Sequence, residues 1–317
     1  MTTMRENRKQ PVGTETVFSP AKINLMLRVM GRRADGYHDL QTVFELLDWG
    51  DELEFSFRPA KTRGQPLTIT GSDTPPVSIS GDFPNLPVQR NLIWQAAASL
   101  VPHATDIQPV HIHVTKRLPA GGGVGGGSSN AAATLKALNH YWGCHLDATG
   151  LRHLGLKLGA DVPVFLGEQP ALATGVGEKL QPLALPRRFF VLVIPRQGLS
   201  TAEVFGHPQL PRDSQPLPLE KTLNPAYWRN DCLLVARCCC HSLAVSWEIV
   251  EKMHKQMGLD DFSRPRLSGT GSVFFMAFEQ QGQALECAAA LRQQQQTLGA
   301  DFPAQVQVAS SWRKRDA

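Results

Sequence analysis

The sequence predicts an α+β fold built as two units, and three observations carry that expectation. The chain of 317 residues is long enough for two modest cores. Strand-like alternation and helix-like periodicity are interleaved along it without a regular βαβ repeat. A glycine loop, with six glycines in the seven positions 121–127, stands between a strand pattern and a helix pattern. Composition adds exclusions. Hydrophobic residues make up 42% and charged residues 19%, as in an ordinary globular protein, and the net charge of +4 gives no reason to invoke nucleic acid. No stretch approaches the roughly 18 apolar residues of a membrane span. The first ten residues are polar and of mixed charge, with no signal-peptide core, so a cytoplasmic protein without a membrane partner is expected.

Residues 1–15 are expected to form a disordered tail, and the first unit to span 16–185. Val17 to Val29 reads as a strand kinked at Pro20, and Leu53, Phe55 and Phe57 alternate as in a half-buried strand. The Pro-, Gly-, Ser- and Thr-rich segment 58–87 holds two short alternations, Leu67–Ile69 and Val77–Ile79, and predicts an inserted hairpin or edge strands. Asn91 opens a helix carrying Leu92, Ile93, Ala96, Ala97 and Leu100. Val110, Ile112 and Val114 then form a strand face, with His111 and His113 opposite as an exposed or hydrogen-bonded pair.

The second unit is expected over 186–310. Phe189 to Ile194 is a short apolar run, as in a strand buried on both faces. Four prolines between Pro208 and Pro218 predict an irregular loop. Cys232 to Lys255 reads as one helix, Val273 to Phe278 as a buried strand, Ala284 to Gln296 as a helix and Val306–Val308 as an edge strand. The six cysteines lack zinc-site spacing, and Cys238, Cys239 and Cys240 on one helix would point around its axis, so no metal site is expected. They read as small buried hydrophobes kept reduced. The basic run Arg313-Lys314-Arg315 reads as a solvated tail.

The loop carries the chemistry. Pro119, Ala120, Gly121, Gly122, Gly123, Val124, Gly125, Gly126 and Gly127 precede Ser128 and Ser129, which read as helix N-caps before Ala131, Ala132, Leu135 and Leu138. Glycines let a backbone approach an anion and aim its N–H groups inward, and the following helix adds the positive end of its dipole. The run lacks the Lys-Ser/Thr ending of a Walker loop and the spacing of a dinucleotide fingerprint. As a phosphate cradle the loop is expected to lie outside the core.

From Pro119 to Asn130 the chain resembles the phosphate-binding motif of the GHMP kinases. Further matches are Ser19-Pro20-Ala21-Lys22-Ile23-Asn24-Leu25, Asp35-Gly36-Tyr37-His38-Asp39-Leu40, Leu158-Gly159-Ala160-Asp161-Val162-Pro163-Val164-Phe165 and Leu267-Ser268-Gly269-Thr270-Gly271. The set is similar to the branch of that superfamily whose acceptor is 4-diphosphocytidyl-2-C-methyl-D-erythritol. The resemblance implies an ATP-binding α+β first domain, a ferredoxin-like second domain, and an active site between them. It implies ATP with Mg²⁺ as cofactor, that small molecule as the partner, and a monomer or weak homodimer.

Roles follow from the same resemblance. Asp161 is implied as general base with Lys22 as its partner, Asn91 and Lys116 as contacts at the adenine end, and Asn24, Tyr37, His38, Thr201 and Phe205 as contacts to the cytidine diphosphate part. Each has a plainer reading: a turn or cap for Asp161, a solvated charge for Lys22, a helix cap for Asn91, core packing for Tyr37 and Phe205. Two other functions stay open. One is a GHMP kinase for homoserine or mevalonate, against which the motif Asp35 to Leu40 speaks. The other is a ligand-binding member without catalysis, against which Lys22 and Asp161 speak.

Overall fold

The computed structural model describes residues 13–57, 75–83 and 87–313. Two long strands open the chain, β1 (Gly13–Arg32) and β2 (His38–Phe57), followed by β3 (Val77–Gly81), α1 (Leu92–Leu100) and β4 (Val110–Thr115). Next come α2 (Gly126–Tyr141), α3 (Ala148–Leu158), α4 (Val162–Gly167), β5 (Ala171–Gly175) and β6 (Lys179–Pro182). The second half holds β7 (Phe189–Pro195), α5 (Thr201–Gly206), α6 (Leu219–Thr222), α7 (Leu233–Cys239) and α8 (His241–Gln256). It closes with β8 (Arg266–Leu267), β9 (Phe274–Phe278), α9 (Gln281–Leu298) and β10 (Ala304–Ser310). The α+β class expected from the sequence is the one observed.

The first sheet has six strands. β1 and β2 form a long antiparallel hairpin, and β2 also pairs with β4 near its end and with β5 near its start. β3 lies parallel to β4 at the edge. The second sheet is antiparallel in the order β10-β7-β9-β8, with helices between β7 and β8 and between β9 and β10. That is the ferredoxin-like arrangement.

Alternation along the strands explains how the layers stack. Phe44 and Leu46 of β2 pack with Ile93, Leu135, Leu138 and Phe165 on the helical side of the first sheet. Val43 and Leu47 point the other way and share a core with Phe190, Leu192 and Phe275 of the second sheet. The intervening Val191, Val193, Phe274 and Met276 pack against Val235, Leu243, Trp247 and Leu291 of α7–α9. Helices, sheet, sheet and helices therefore follow one another, and β7 and β9 are buried on both faces, as the run Phe189 to Ile194 predicts. Each fully buried large apolar side chain contributes about 1.5–3 kcal/mol, so the shared middle layer fastens the two halves together.

Several expectations need correction. Gly13–Glu15 belong to β1 rather than to a tail, because pairing with Phe55–Phe57 satisfies their backbone groups; residues 1–12 lie outside the described residues. In the 58–87 segment Val77–Ile79 forms the edge strand β3, while Leu67–Ile69 lies outside the described residues. The single helix from Cys232 to Lys255 is two, broken at Cys240, whose extended backbone (φ −132°, ψ 101°) separates α7 from α8. The break lets Cys240 be buried with its Sγ 3.7 Å from the Gln197 carbonyl, while Cys238 is exposed, so the triplet is not uniformly core. All six cysteines are free thiols. Ser128 and Ser129 are not caps: Gly125, with φ 74°, is the N-cap and the serines lie in the first turn of α2. Arg313 is no solvated tail residue. Its guanidinium grips the buried Glu45 at 2.6 Å. His111 and His113 are hydrogen-bonded to Ser78 and Ser80, as the pair reading anticipates. Among the described residues no helix is long and apolar enough to cross a membrane.

Candidate active site

A cavity of about 650 Å³ lies where the β1–β2 hairpin, the glycine loop, the start of α4 and α5 meet. Sequence neighbours explain part of its wall. Lys22 and Asn24 are two apart on β1, so both side chains leave the same face. Lys22 Nζ donates to Asn24 Oδ1 at 2.7 Å, lies 3.2 Å from Asp161 Oδ2 and stands 5.2 Å over the Phe44 ring. Asn24 is held in turn by its Nδ2, which donates to Thr42 Oγ1 at 2.8 Å. The Lys22 side chain is only 4% exposed and that of Asp161 35%, so the carboxylate fronts the cavity with the ammonium behind it. Asp161 stands at the N-cap of α4 but makes no side-chain cap hydrogen bond, and Lys22 is buried. The solvated-charge reading of Lys22 fails, while the turn reading of Asp161 holds for its backbone and leaves its carboxylate uncommitted to capping.

The loop folds over this pair. Lys22 N–H donates to the Val124 carbonyl at 3.0 Å, and Val124 itself is buried in the layer between the sheets. Gly123, at φ 73°, comes so close to the turn 268–271 that a Cβ there would stand 2.3 Å from the Ser268 carbonyl. Ser268 Oγ donates to the Gly123 carbonyl at 2.9 Å and accepts from Asn24 N at 3.3 Å. The loop is thus built into the junction of the two halves rather than outside the core. Gly123 is required by that close backbone approach, and α2, sixteen residues long, starts at the end of the loop. Ser128 lines the cavity. Ser129 does not: its hydroxyl is buried and hydrogen-bonded to Ser19 at 2.7 Å.

The other wall comes from the hairpin tip and α5. The tip is closed by Arg33 N donating to the Tyr37 carbonyl at 2.7 Å, with Gly36 at φ 89°. Tyr37 stands out from it, 64% exposed, so core packing is not its role. His38 is buried and stacks on Phe205, with centroids 5.0 Å apart and planes at 24°. Burial, then the Arg212 and Arg32 charges, hold His38 below the ordinary histidine range. Thr201 Oγ1 is 3.2 Å from Thr270 Oγ1, which links α5 to the turn 268–271. Phe205 also packs against the core of the second unit, so its plainer reading holds in part.

Asn91 and Lys116 lie elsewhere. Asn91 Oδ1 accepts from Ile93 N at 2.9 Å and caps α1. Lys116 pairs with the buried Asp51, which also accepts from Arg117 N and Leu118 N at 2.8 and 2.9 Å. Lys116 and Leu92, the residue after Asn91, do lie against the first turn of α2: a Cβ on Gly126 would lie 3.5 Å from Lys116 Nζ, and one on Gly127 3.4 Å from Leu92. Sequence reasoning missed Phe44, Thr42, Asp51 and Arg212, because each acts through a partner far away in the chain. Among the described residues no group of three or more His, Cys, Asp or Glu is placed to hold a metal ion.

Residues 91–169 match the family described as GHMP kinases N terminal domain. The chain is 40% identical over 276 residues to the 4-diphosphocytidyl-2-C-methyl-D-erythritol kinase of Pseudomonas fluorescens, which covers 87% of this chain and 89% of that protein. A crystal structure of 4-(cytidine 5'-diphospho)-2C-methyl-D-erythritol kinase is similar at a TM-score of 0.71 and 30% identity, over 94% of this chain and 100% of that one. The homoserine kinase of Cytophaga hutchinsonii, at a TM-score of 0.66 and 16% identity over 98% of each chain, is alike in fold alone.

Proposed function

Because the chain belongs to the 4-diphosphocytidyl-2-C-methyl-D-erythritol kinase family of the GHMP kinases, we propose that it transfers the γ-phosphoryl group of ATP to the 2-hydroxyl of 4-diphosphocytidyl-2-C-methyl-D-erythritol. The observation that carries the reading is the Lys22–Asp161 pair set in a cavity whose far wall is aromatic. Phosphoryl transfer asks the protein mainly for positioning and charge compensation. Asp161 accepts the proton of the acceptor hydroxyl as its oxygen bonds to the γ-phosphorus and the bond to the β-bridging oxygen breaks. Lys22, fixed by Asn24 and Phe44, offsets the negative charge that develops there.

The triphosphate suits the glycine loop. Backbone at Gly123 and Gly125 lies so close to neighbouring atoms that a Cβ would collide with Ser268 or Phe165, so the loop presents amides rather than side chains. The N-terminus of α2 and Ser128 complete that cradle, with Ser129 supporting it from beneath. Asn91 and Lys116 are assigned to the adenine end, Lys116 lying beside Gly126 at the first turn of α2. Mg²⁺ would enter with the phosphates and offset their charge, and Ser128, which lines the cavity, is the side chain that would face it.

Tyr37, His38 and Phe205 are assigned to the cytidine diphosphate part, with Thr201 beside the turn 268–271. An exposed tyrosine ring at a cavity mouth is suited to stack on a pyrimidine. The test is ATP turnover by the purified protein with the cytidylylated methylerythritol, with homoserine and mevalonate as controls. Turnover with the first alone is expected; preference for either control would overturn the substrate assignment.

A further inference from the structure

Arg212 spends every arm of its guanidinium on the aromatic wall. Its Nε donates to His38 Nε2 at 3.0 Å, one terminal nitrogen to the Leu210 carbonyl at 3.0 Å, and the other to the carbonyls of Phe205 and His207 at 2.8 and 2.9 Å. One side chain thus ties together the β1–β2 hairpin, the end of α5 and the proline-rich loop. A guanidinium only donates and does not lose its proton in a protein. His38 Nε2 must therefore offer a lone pair. We propose that Arg212 is a positioning residue for the acceptor substrate, fixing His38 as the neutral tautomer protonated on Nδ1, so that the ring meets the ligand as a hydrogen-bond donor.

The surroundings agree. Two cations face His38: Arg212 from the loop and Arg32 from the end of β1. α5 covers the ring with Phe205, and its Glu203 is exposed. Asp39 follows on the opposite face of β2, Asp35 is paired with Arg33, and Asp161 with Lys22. Nδ1 makes no hydrogen bond to any described residue, and His38 lines the cavity. The ligand's identity rests on the kinase reading above; the tautomer does not.

The first measurement needs neither variant nor ligand. Long-range ¹H–¹⁵N NMR of the wild-type protein near pH 7 should show His38 neutral and protonated at Nδ1. An Nε2–H signature, or an imidazolium, would overturn the proposal. The second uses Arg212→Met. Without the donor, neutral His38 is free to adopt the Nε2–H tautomer that imidazole prefers in water, and Nδ1 becomes an acceptor. At pH 8 the KM for the cytidylylated methylerythritol should rise about 3- to 10-fold over wild type, as for one lost hydrogen bond. As the pH is lowered far enough to protonate His38, which burial and Arg32 still hold below the ordinary histidine range in this variant, an Nδ1–H is restored, so the ratio to wild type should shrink. The KM for ATP should not move. A ratio that is the same at every pH, as a merely structural arginine would give, overturns the proposal, as does an unchanged KM. Failure of the kinase reading is distinguishable: wild-type protein would then show no turnover with this substrate, whatever the His38 tautomer.

Discussion

Glu45 and Arg313, 268 positions apart in sequence, form an ion pair at 2.6 Å with the carboxylate wholly buried in the first sheet. Ser311 Oγ and Leu46 N also donate to that carboxylate, and Arg313 donates to the Leu185 carbonyl at 3.1 Å. Residues 311–313 are thereby fastened to β2 in the first sheet. Burial pushes the Glu45 carboxyl above its ordinary value of about 4.5, with Arg313 opposing that rise. Because the folded value is raised, the folded state binds the proton more tightly than the unfolded one. The contribution of Glu45 is therefore fully present below about pH 4.5 and declines as pH rises through the folded value. Arg313→Ala strips the opposing cation from a buried charge and should cost about 3 kcal/mol at pH 7.5. At pH 5 the loss should be smaller, since a protonated carboxyl needs no cation. Urea unfolding at both values checks this; equal losses would contradict it.

Asp161→Asn keeps the shape of the side chain but not its proton affinity, so turnover should fall by roughly 10² to 10⁴ while calorimetry shows ATP still bound. Lys22→Ala should be similarly slow. Lys22→Arg should recover only part, because a planar guanidinium does not fit a position that is 2.7 Å from Asn24 Oδ1 and over the Phe44 ring. Near-normal turnover in Asp161→Asn would remove it as the base.

Two glycines separate cradle from scaffold. Gly123→Ala places a Cβ 2.3 Å from the Ser268 carbonyl at φ 73°, so loop and turn must move apart and ATP affinity should fall at least about tenfold. Gly127→Ala meets only the Leu92 methyl at 3.4 Å and sits in a helix, so stability should hold or rise by up to about 1 kcal/mol. Calorimetric ATP titration and thermal unfolding of both variants decide. Unchanged ATP affinity in Gly123→Ala would refute the cradle.

Tyr37→Ala should raise the KM for the cytidylylated substrate roughly 5- to 150-fold, the equivalent of about 1–3 kcal/mol of stacking. Saturated turnover should change far less, since stacking is alike in ground and transition states. At 64% exposure the ring supports no core, so the melting temperature should stay put. Steady-state kinetics measure the first and scanning calorimetry the second; an unmoved KM would leave the cytidine assignment without its main support.

What the sequence alone determined is local in origin. Alternation placed β4 and β10, continuous apolar runs placed β7 and β9, apolar periodicity placed α1, α2 and α9, and the glycine run marked the loop, because each signal arises within a few residues of chain. The motifs also named Lys22 and Asp161, whose pairing the structure displays at 3.2 Å. Tertiary structure alone decided the rest. It turned Ser129 inward onto Ser19, since α2 starts at Gly126 rather than after the serines. It broke the helix at Cys240, whose extended backbone separates α7 from α8 while its side chain is buried. It drew Gly123 under Ser268, Arg212 onto His38 and Arg313 onto Glu45 across 145, 174 and 268 positions. Such partners carry no local signal. A charged or glycine residue reads the same in sequence whether it meets water or a buried group, and only the folded chain supplies the group.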